Sequence, residues 1–419
     1  MANELFTTDL VASLVIERLQ NRLQKGGMVE RNFQKEFATA EYGDTINMRR
    51  PYYFASTDGA VIGGSDTSDV LDGKVPVVVD KRKKVVFSLS STEQALDITD
   101  YRIQQAIDAA ANELANQIEL SIAVEASEEV WNYTDATAGI TLDDIADAEA
   151  LMTAQGVSIM ADKYGCLTPF AARILSESVA KDFSFPAVSR VTEAMERAKV
   201  GTYSSVMCMQ DQVLNTHDSG VGTGTILVNG ASQDVAYDAV SDTWSQSLIL
   251  DGATISTAGI LKAGDVINVA DVYSVNKNTR SSTGELQDFV VKADATSDGS
   301  GNVTVTISPP IIAGTGVAAA YNTVDAAPAD NAAVTVKTGS STSRKENLIF
   351  CREAFNLAMI PLPQTQSGVK SSTKTIEGLS LRVMEQFDFT NDALKFRIDA
   401  LWAIKAIQPY YAFRIATAK

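Results

Sequence analysis

His217 is the only histidine among 419 residues, and that removes most familiar catalytic chemistry at once. A Ser-His-Asp triad needs an imidazole base, and His-based zinc sites need more than one ring. His217 lies in Asn215-Thr-His-Asp218, a context that predicts a polar loop histidine. Cys166, Cys208 and Cys351 are widely spaced and odd in number, with no C-x-x-C pair, so no disulfide framework is expected and a reducing compartment is. Gly220-Val-Gly-Thr-Gly224 has the glycine density of a phosphate-cradling loop, but β-rich sequence follows it instead of the helix such a loop needs. Glu128-Glu129 and Asp143-Asp144 are carboxylate pairs on helical stretches and read as solvated faces. No nucleophile motif accompanies them. The expectation is a non-enzyme without cofactor or metal.

Composition narrows the class further. A hydrophobic share of 45% with 21% charged residues suits a folded soluble protein of two or three domains. The 35 Lys and Arg against 52 Asp and Glu leave a formal charge of −17, the wrong sign for wrapping nucleic acid. The opening Met1-Ala-Asn-Glu-Leu-Phe6 lacks the basic and apolar regions of a signal peptide, and no apolar run reaches the ~18 residues that span a bilayer. A soluble protein made in the cytoplasm, away from membranes, is expected.

The elements fall in a definite order. Thr8 to Gln24 predicts an amphipathic helix with Leu10, Leu14, Ile16, Leu19 and Leu23 on its stripe, ended by Gly26-Gly27. Such a terminal helix must dock, on its own domain or on a neighbour. Residues 42 to 90 predict a long β-hairpin arm with a tip around Asp58-Gly59 and Gly63-Gly64-Ser65. The basic run Lys81-Arg82-Lys83-Lys84 falls between its last two strand segments, as a solvated run or an ionic contact with an acidic face of another subunit. From Asp97 to Trp131, Ile103, Ile107, Ala110, Leu114, Ile118 and Ile122 predict one helix on the order of 50 Å long. Helices over 142–155, 170–180 and 187–199 and strands over 164–169 and 201–209 complete the first half, with Thr141 as a cap.

Between His217 and Arg344 the pattern changes to short strands at 225–228, 247–250, 266–269, 289–291 and 303–307, with turn signals at Asn229-Gly230, Asp251-Gly252 and Asp298-Gly299. This predicts an all-β insert over residues 222–343 in an α+β host. The host resumes with strands at 347–351, 355–363 and 375–384, then paired runs at 393–402 and 406–415. If the flanking strands share one sheet, the two ends of the insert must lie close together.

After the insert, Ala354-Phe-Asn-Leu-Ala-Met-Ile-Pro-Leu-Pro363, Glu377-Gly-Leu-Ser-Leu-Arg-Val383, Lys395-Phe-Arg-Ile-Asp-Ala-Leu-Trp402 and Gln408-Pro-Tyr-Tyr-Ala-Phe-Arg414 resemble a tailed-bacteriophage major capsid protein. The similarity is to the coat proteins of short-tailed Salmonella-type phages. Gly259-Ile-Leu-Lys-Ala-Gly-Asp265 and Asp298-Gly-Ser-Gly-Asn-Val-Thr-Val-Thr306 also resemble that subgroup. The resemblance implies a Hong Kong 97-type capsid fold with an inserted all-β domain. Its parts would be an N-terminal arm (1–40), an extended hairpin loop (41–92), a peripheral domain with spine helix and the first part of an axial domain (93–221), the insert (222–343) and the remainder of the axial and peripheral domains (344–419). It implies pentamers and hexamers of the chain itself, assembled with a scaffolding protein and a portal protein around packaged dsDNA, in a virion built in the host cytoplasm. An acidic surface would line such a cavity without sticking to the DNA. Asp9 and Glu17 on the arm helix are the candidate scaffolding contacts, and Lys81, Arg82, Lys83 and Lys84 the candidate intersubunit contacts. No Lys–Asn cross-link is expected. The competing readings are a tail-tube or decoration protein with an immunoglobulin-like module, which leaves the long helix unexplained, and an acidic cytoplasmic hydrolase.

Overall fold

A computed structural model describes residues 8–31, 45–56, 60, 63, 70–90, 99–182, 201–364 and 369–418. The helix expected over 187–199 and most of the Gly-rich hairpin tip lie outside these residues. In chain order, a helix at Thr8–Arg22 and a single turn at Lys25–Met28 precede β1 (Thr45–Arg49), β2 (Lys74–Val78) and β3 (Lys81–Ser90). The long helix Thr99–Glu129 leads to β4 (Tyr133–Asp135), helix Leu142–Ala154, β5 (Lys163–Leu167) and helix Pro169–Asp182. Then come β6 (Thr202–Tyr203), β7 (Val206–Gln210) and β8 (Thr216–Asp218). The insert contributes β9 (Gly224–Val228), β10 (Gln246–Ala253), β11 (Val266–Val275), β12 (Ser282–Val291), β13 (Val303–Ser308) and β14 (Val334–Val336). The chain closes with β15 (Ser343–Cys351), β16 (Phe355–Met359), β17 (Lys370–Ile376), β18 (Leu379–Asp388), β19 (Ala393–Ala406) and β20 (Ala412–Ala418). The chain is α+β, as expected.

These elements form two compact units, one from residues 1–46, 77–122 and 355–405, the other from 47–76, 123–354 and 406–419. In the first, β16, β19, β18 and β17 form a sheet in that order, and β3 adds to β19. The arm helix packs on β17 and β18 of its own chain, which answers where its apolar face goes. The buried positions are Val11, Ala12, Val15, Ile16 and Leu19, so the face is rotated from the leucine stripe read from sequence, and Leu10 and Leu14 are only half-buried. Small and β-branched side chains let the helix approach the sheet closely, which a count of leucines does not register. The predicted single strand over 375–384 is instead the hairpin β17–β18, registered Ile376↔Leu379. Glu377 and Gly378 both have positive φ (48° and 84°), the conformation of a two-residue primed turn.

Gly26 and Gly27 do not stop the helical path; they lie inside the turn Lys25–Met28. The reason comes from elsewhere in the chain. Glu119 of the long helix accepts hydrogen bonds from the backbone N–H groups of Gln24 (2.8 Å), Lys25 (3.1 Å) and Gly26 (3.0 Å). Its carboxylate also pairs with the Lys25 ammonium at 3.4 Å, and both side chains are buried. A carboxylate there satisfies the orphan donors that a helix start leaves. The long helix has 31 residues, about 46 Å at 1.5 Å per residue. Along residues 99–122 it buries Ile107, Ala110, Leu114, Ile118 and Ile122, the periodic positions.

In the second unit, β4, β20, β15, β5, β7 and β6 line up in one sheet, with β8 also on β15. Ile145, Ala148 and Met152 of helix Leu142–Ala154 and Ala172 and Leu175 of helix Pro169–Asp182 pack against Leu167, Cys208, Ile349 and Phe413 of that sheet. Thr141 and Asp144 form the capping box at the first of these helices. The insert is a six-stranded sheet ordered β14-β11-β12-β13-β10-β9, its core built from residues such as Val228, Leu250, Ile267, Phe289 and Val305. Asp251-Gly252 is not a turn: it is a bulge within β10, where a side chain at position 252 would strike the Thr225 carbonyl oxygen. The terminal runs expected to pair with each other belong to different sheets. β19 is flanked by β18 and β3, and β20 by β15 and β4.

Replacing Glu119 by Ala leaves the Lys25 ammonium buried without its carboxylate and three N–H groups without an acceptor. The expected loss is about 4 kcal/mol in denaturant unfolding, against no more than a few tenths of a kcal/mol for the exposed Glu113→Ala control.

Candidate assembly elements and the insert junction

The insert leaves and rejoins one sheet through two adjacent strands. β8, just before it, pairs antiparallel with β15, just after it, at Asp218↔Ser343, His217↔Arg344 and Thr216↔Lys345. Backbone bonds continue the closure from Ser219 N–H to Thr342 O (2.9 Å) and from Ser341 N–H to Gly220 O (2.8 Å). The expected proximity of the two ends is met. His217 is therefore a strand residue, not a loop residue, and only 8% exposed. A three-residue strand is too short for alternation to reveal it.

His217 faces an anion. Its Nε2 lies 2.8 Å from Oδ1 of Asp265, which is fully buried in the insert. Asp265 also accepts from the backbone N–H of Lys262 (2.8 Å) and Gly220 (3.0 Å) and from Thr338 Oγ1 (3.0 Å). Burial pushes this carboxyl up, but the His217 bond and the two backbone donors outweigh it and hold it below the ordinary aspartate value. Glycine is required twice here. Gly264 has φ +94° and a Cβ there would sit 3.0 Å from the His217 ring; at Gly220 a Cβ would sit 2.7 Å from the Ile260 carbonyl oxygen. Gly220 thus serves close packing at the neck of the insert.

Further ties fasten the insert to the host sheet. Arg414 of β20, 1% exposed, donates to the Gly264 carbonyl from both terminal nitrogens (3.1 Å each) and to Glu346 Oε1 at 2.6 Å. Lys337 donates to the Tyr133 carbonyl (2.6 Å) and pairs with Asp288 at 2.7 Å. Burial holds the Asp288 carboxyl above its usual range despite that lysine. Glu129, read as a solvated acid, pairs with Lys292 at 2.6 Å. The end of helix Leu142–Ala154 is capped by the insert: Asn276 donates to Ala154 O (2.6 Å) and Asn278 to Gly156 O (3.2 Å).

The candidate contact residues are placed as follows. Asp9 accepts from Ser372 Oγ at 2.8 Å and pairs with Lys374 at 2.9 Å, both on β17. The Lys374 hydrogen bond, then that of Ser372, lowers its carboxyl pKa. Glu17 is exposed on the same helix. Lys81–Lys84 do not lie between strands but open β3, opposite Trp402 to Asp399 of β19. Arg82 reaches Asp399 at 3.3 Å, where Arg382 and Arg397 already converge at 2.7 Å each. Burial raises the Asp399 carboxyl, and the Arg397 and Arg382 hydrogen bonds override it and set it below its usual value. Lys83 and Lys84 are exposed. Nothing in the sequence pattern linked Arg82 to Asp399, because that pairing depends on the register of two distant strands.

Cys166, Cys208 and Cys351 are buried, and burial pushes the Cys208 and Cys351 thiols up to about 12, far from thiolate reactivity. Among the described residues, no helix is long and apolar enough to cross a membrane and no group of three or more His, Cys, Asp or Glu is arranged to hold a metal.

Asp265→Ala should cost about 3 kcal/mol at neutral pH, since it strands His217 and two N–H donors. Because the folded carboxyl is depressed, its contribution is fully present above the ordinary value of 3.8 and fades as pH falls below it. Urea titrations of wild type and Asp265→Asn should show a stability gap that narrows from pH 7 to pH 3; a constant gap contradicts the assignment.

The chain matches the family described as "P22 coat protein - gene protein 5" over residues 1–412. It is 26% identical over 393 residues to the major capsid protein of Acyrthosiphon pisum secondary endosymbiont phage 1, covering 91% of each chain. Among solved structures, Mycobacterium phage Che8 aligns over 94% of this chain and 90% of that one at 10% identity and a TM-score of 0.46. The CUS-3 coat protein I-domain aligns over 27% of this chain and 96% of its own at 30% identity and a TM-score of 0.20. The chain belongs to the P22 coat protein family: it is a phage major capsid protein, an α+β chain with an inserted β-sheet domain.

Proposed function

We propose that this coat protein assembles as pentamers and hexamers into an icosahedral shell around packaged dsDNA, and acts as no enzyme. The observation that carries the reading is the family match across residues 1–412, with self-assembly into a shell as the family's role. The surface supports it: a formal charge of −17 disfavours adhesion to DNA, and repeated weak contacts around a closed shell sum to large stability. Five- and six-fold rings of heterologous contacts need only modest adjustments of one sequence. Assembly in the host cytoplasm with a scaffolding protein, and genome entry through a portal protein, belong to the same reading.

Within it, residues 1–40 serve as arm, 41–92 as extended loop, 93–221 and 344–419 as peripheral and axial domains, and 222–343 as a β-domain that stabilises its own subunit and meets a neighbour across a two-fold. Glu17 is free to meet a basic scaffolding segment, while Asp9 would have to leave Lys374 to do so. Lys83 and Lys84 are better placed than Arg82 for an acidic neighbour, since Arg82 already serves Asp399.

Negative-stain microscopy of the chain co-expressed with its scaffolding partner should show polyhedral shells. Tubes would favour a tail protein, and dispersed particles that turn over a small molecule would favour a hydrolase. Deleting residues 222–343 should give poorly folded subunits or mis-sized shells, and normal shells would refute the role given to the insert. Glu17→Lys should lower scaffolding uptake per shell, measured by gel densitometry of purified precursor shells; unchanged uptake removes Glu17 from the interface.

A further inference from the structure

The β1–β2 hairpin is a two-stranded ribbon, and such ribbons are marginal on their own in water. Its loop-side end is nevertheless closed, by the Arg50 N–H bond to Gly73 O at 2.8 Å, and docked. The docking surface is the insert. Tyr53 and Ala55 from one side of the hairpin and Leu71 from the other pack on a small satellite core built around Tyr237, Val240 and Tyr321. Tyr237 and Tyr321 stack at 3.9 Å, and Tyr53 meets Tyr321 edge-on at 5.9 Å.

Arg50 supplies the directional contact. Its Nε donates to the Ser241 carbonyl at 2.9 Å, and its guanidinium lies 4.6 Å above the Trp244 ring. Burial lowers its pKa to about 10, so it stays charged at neutral pH. Trp244 holds a positive φ of 51°, uncommon for a bulky residue, which aims its ring at this cation. Across the hairpin, Lys74 pairs with Asp242 at 3.2 Å. Gly73 leaves no room for a side chain: a Cβ would lie 2.6 Å from the Tyr237 hydroxyl. Cation, aromatic stack, ion pair and glycine fit together fix both strands, at the loop-side end of the ribbon, at one angle to the insert.

We propose that the insert is a bracket for the hairpin of its own chain, its Tyr237–Trp244–Tyr321 face setting the direction in which the hairpin departs and so how it meets a second copy. The last clause rests on the capsid reading; the bracket itself does not. The insert thereby influences shell geometry from within a subunit, through a segment it holds and not only through surfaces it presents.

Hydrogen exchange on the full-length chain tests the bracket. Trp244→Ala and Arg50→Ala should raise amide exchange over residues 47–56 and 70–78 about tenfold, with β10 and β13 unchanged. Where Trp244→Ala fails to fold, Gly73→Ala decides, because it disturbs the fit from the hairpin side and removes nothing from the insert. Arg50→Lys keeps the charge without the planar stack and should fall between wild type and Arg50→Ala. Unchanged hairpin exchange in Arg50→Ala and Gly73→Ala overturns the proposal. In assembly with scaffolding partner, the loosened variants should give shells of broadened diameter by microscopy; loosened hairpins with wild-type diameters overturn the link to geometry. Absence of shells from the wild type would count against the capsid reading, while the exchange result would still stand for or against the bracket.

Discussion

A chain that interrupts a sheet with more than a hundred residues of foreign sequence must bring its two ends back into register, and the pairing of β8 with β15 does this. Three residue pairs are a short ladder, so the neck needs reinforcement. The buried Asp265 provides it, gathering His217 from the host strand, Thr338 and the backbone N–H groups of Gly220 at the neck and Lys262 in the insert. A carboxylate taken out of water is tolerated only with most of its lone pairs satisfied, and that requirement ties β8, the Lys262–Asp265 turn and the return strand to a single geometry. Arg414 and Lys337 extend the same logic to the host sheet and the insert face beside it.

The first unit relies on the same device. Glu119 caps a turn of the arm, and Asp399 draws together Arg82, Arg382 and Arg397. In each case a buried acid joins segments remote in sequence. A pair of this kind contributes little over a well-packed apolar isostere, but losing one partner is expensive, so it enforces one arrangement over near alternatives. Such selectivity suits a subunit whose surfaces must repeat from copy to copy.

The chain was most legible where period and length were strong: the long helix with its Ile107–Ile122 stripe, the Thr141 cap and the alternating strands of the insert. Short or junctional elements were not. Gly252 carries the φ of a turn yet sits in a bulge, because bulges and turns both call on glycine. The β17–β18 hairpin turns on Glu377-Gly378, a weaker turn signal than Asn-Gly. His217 has a polar neighbourhood in sequence and a buried one in space, since Asp265 is supplied from 48 residues away.

By itself the sequence determined the class of the protein: an α+β host, a β-rich insert between His217 and Arg344, an acidic surface, and motif order shared with phage coat proteins. These are local or additive properties, read from residue type and short-range period. Only the tertiary structure decided the partners of the buried charges, the rotation of the arm helix, the separate sheets of β19 and β20, and the grip of the insert on the loop-side end of the β1–β2 ribbon. Those outcomes depend on strand register and on desolvation by residues far along the chain, quantities that no window of sequence contains.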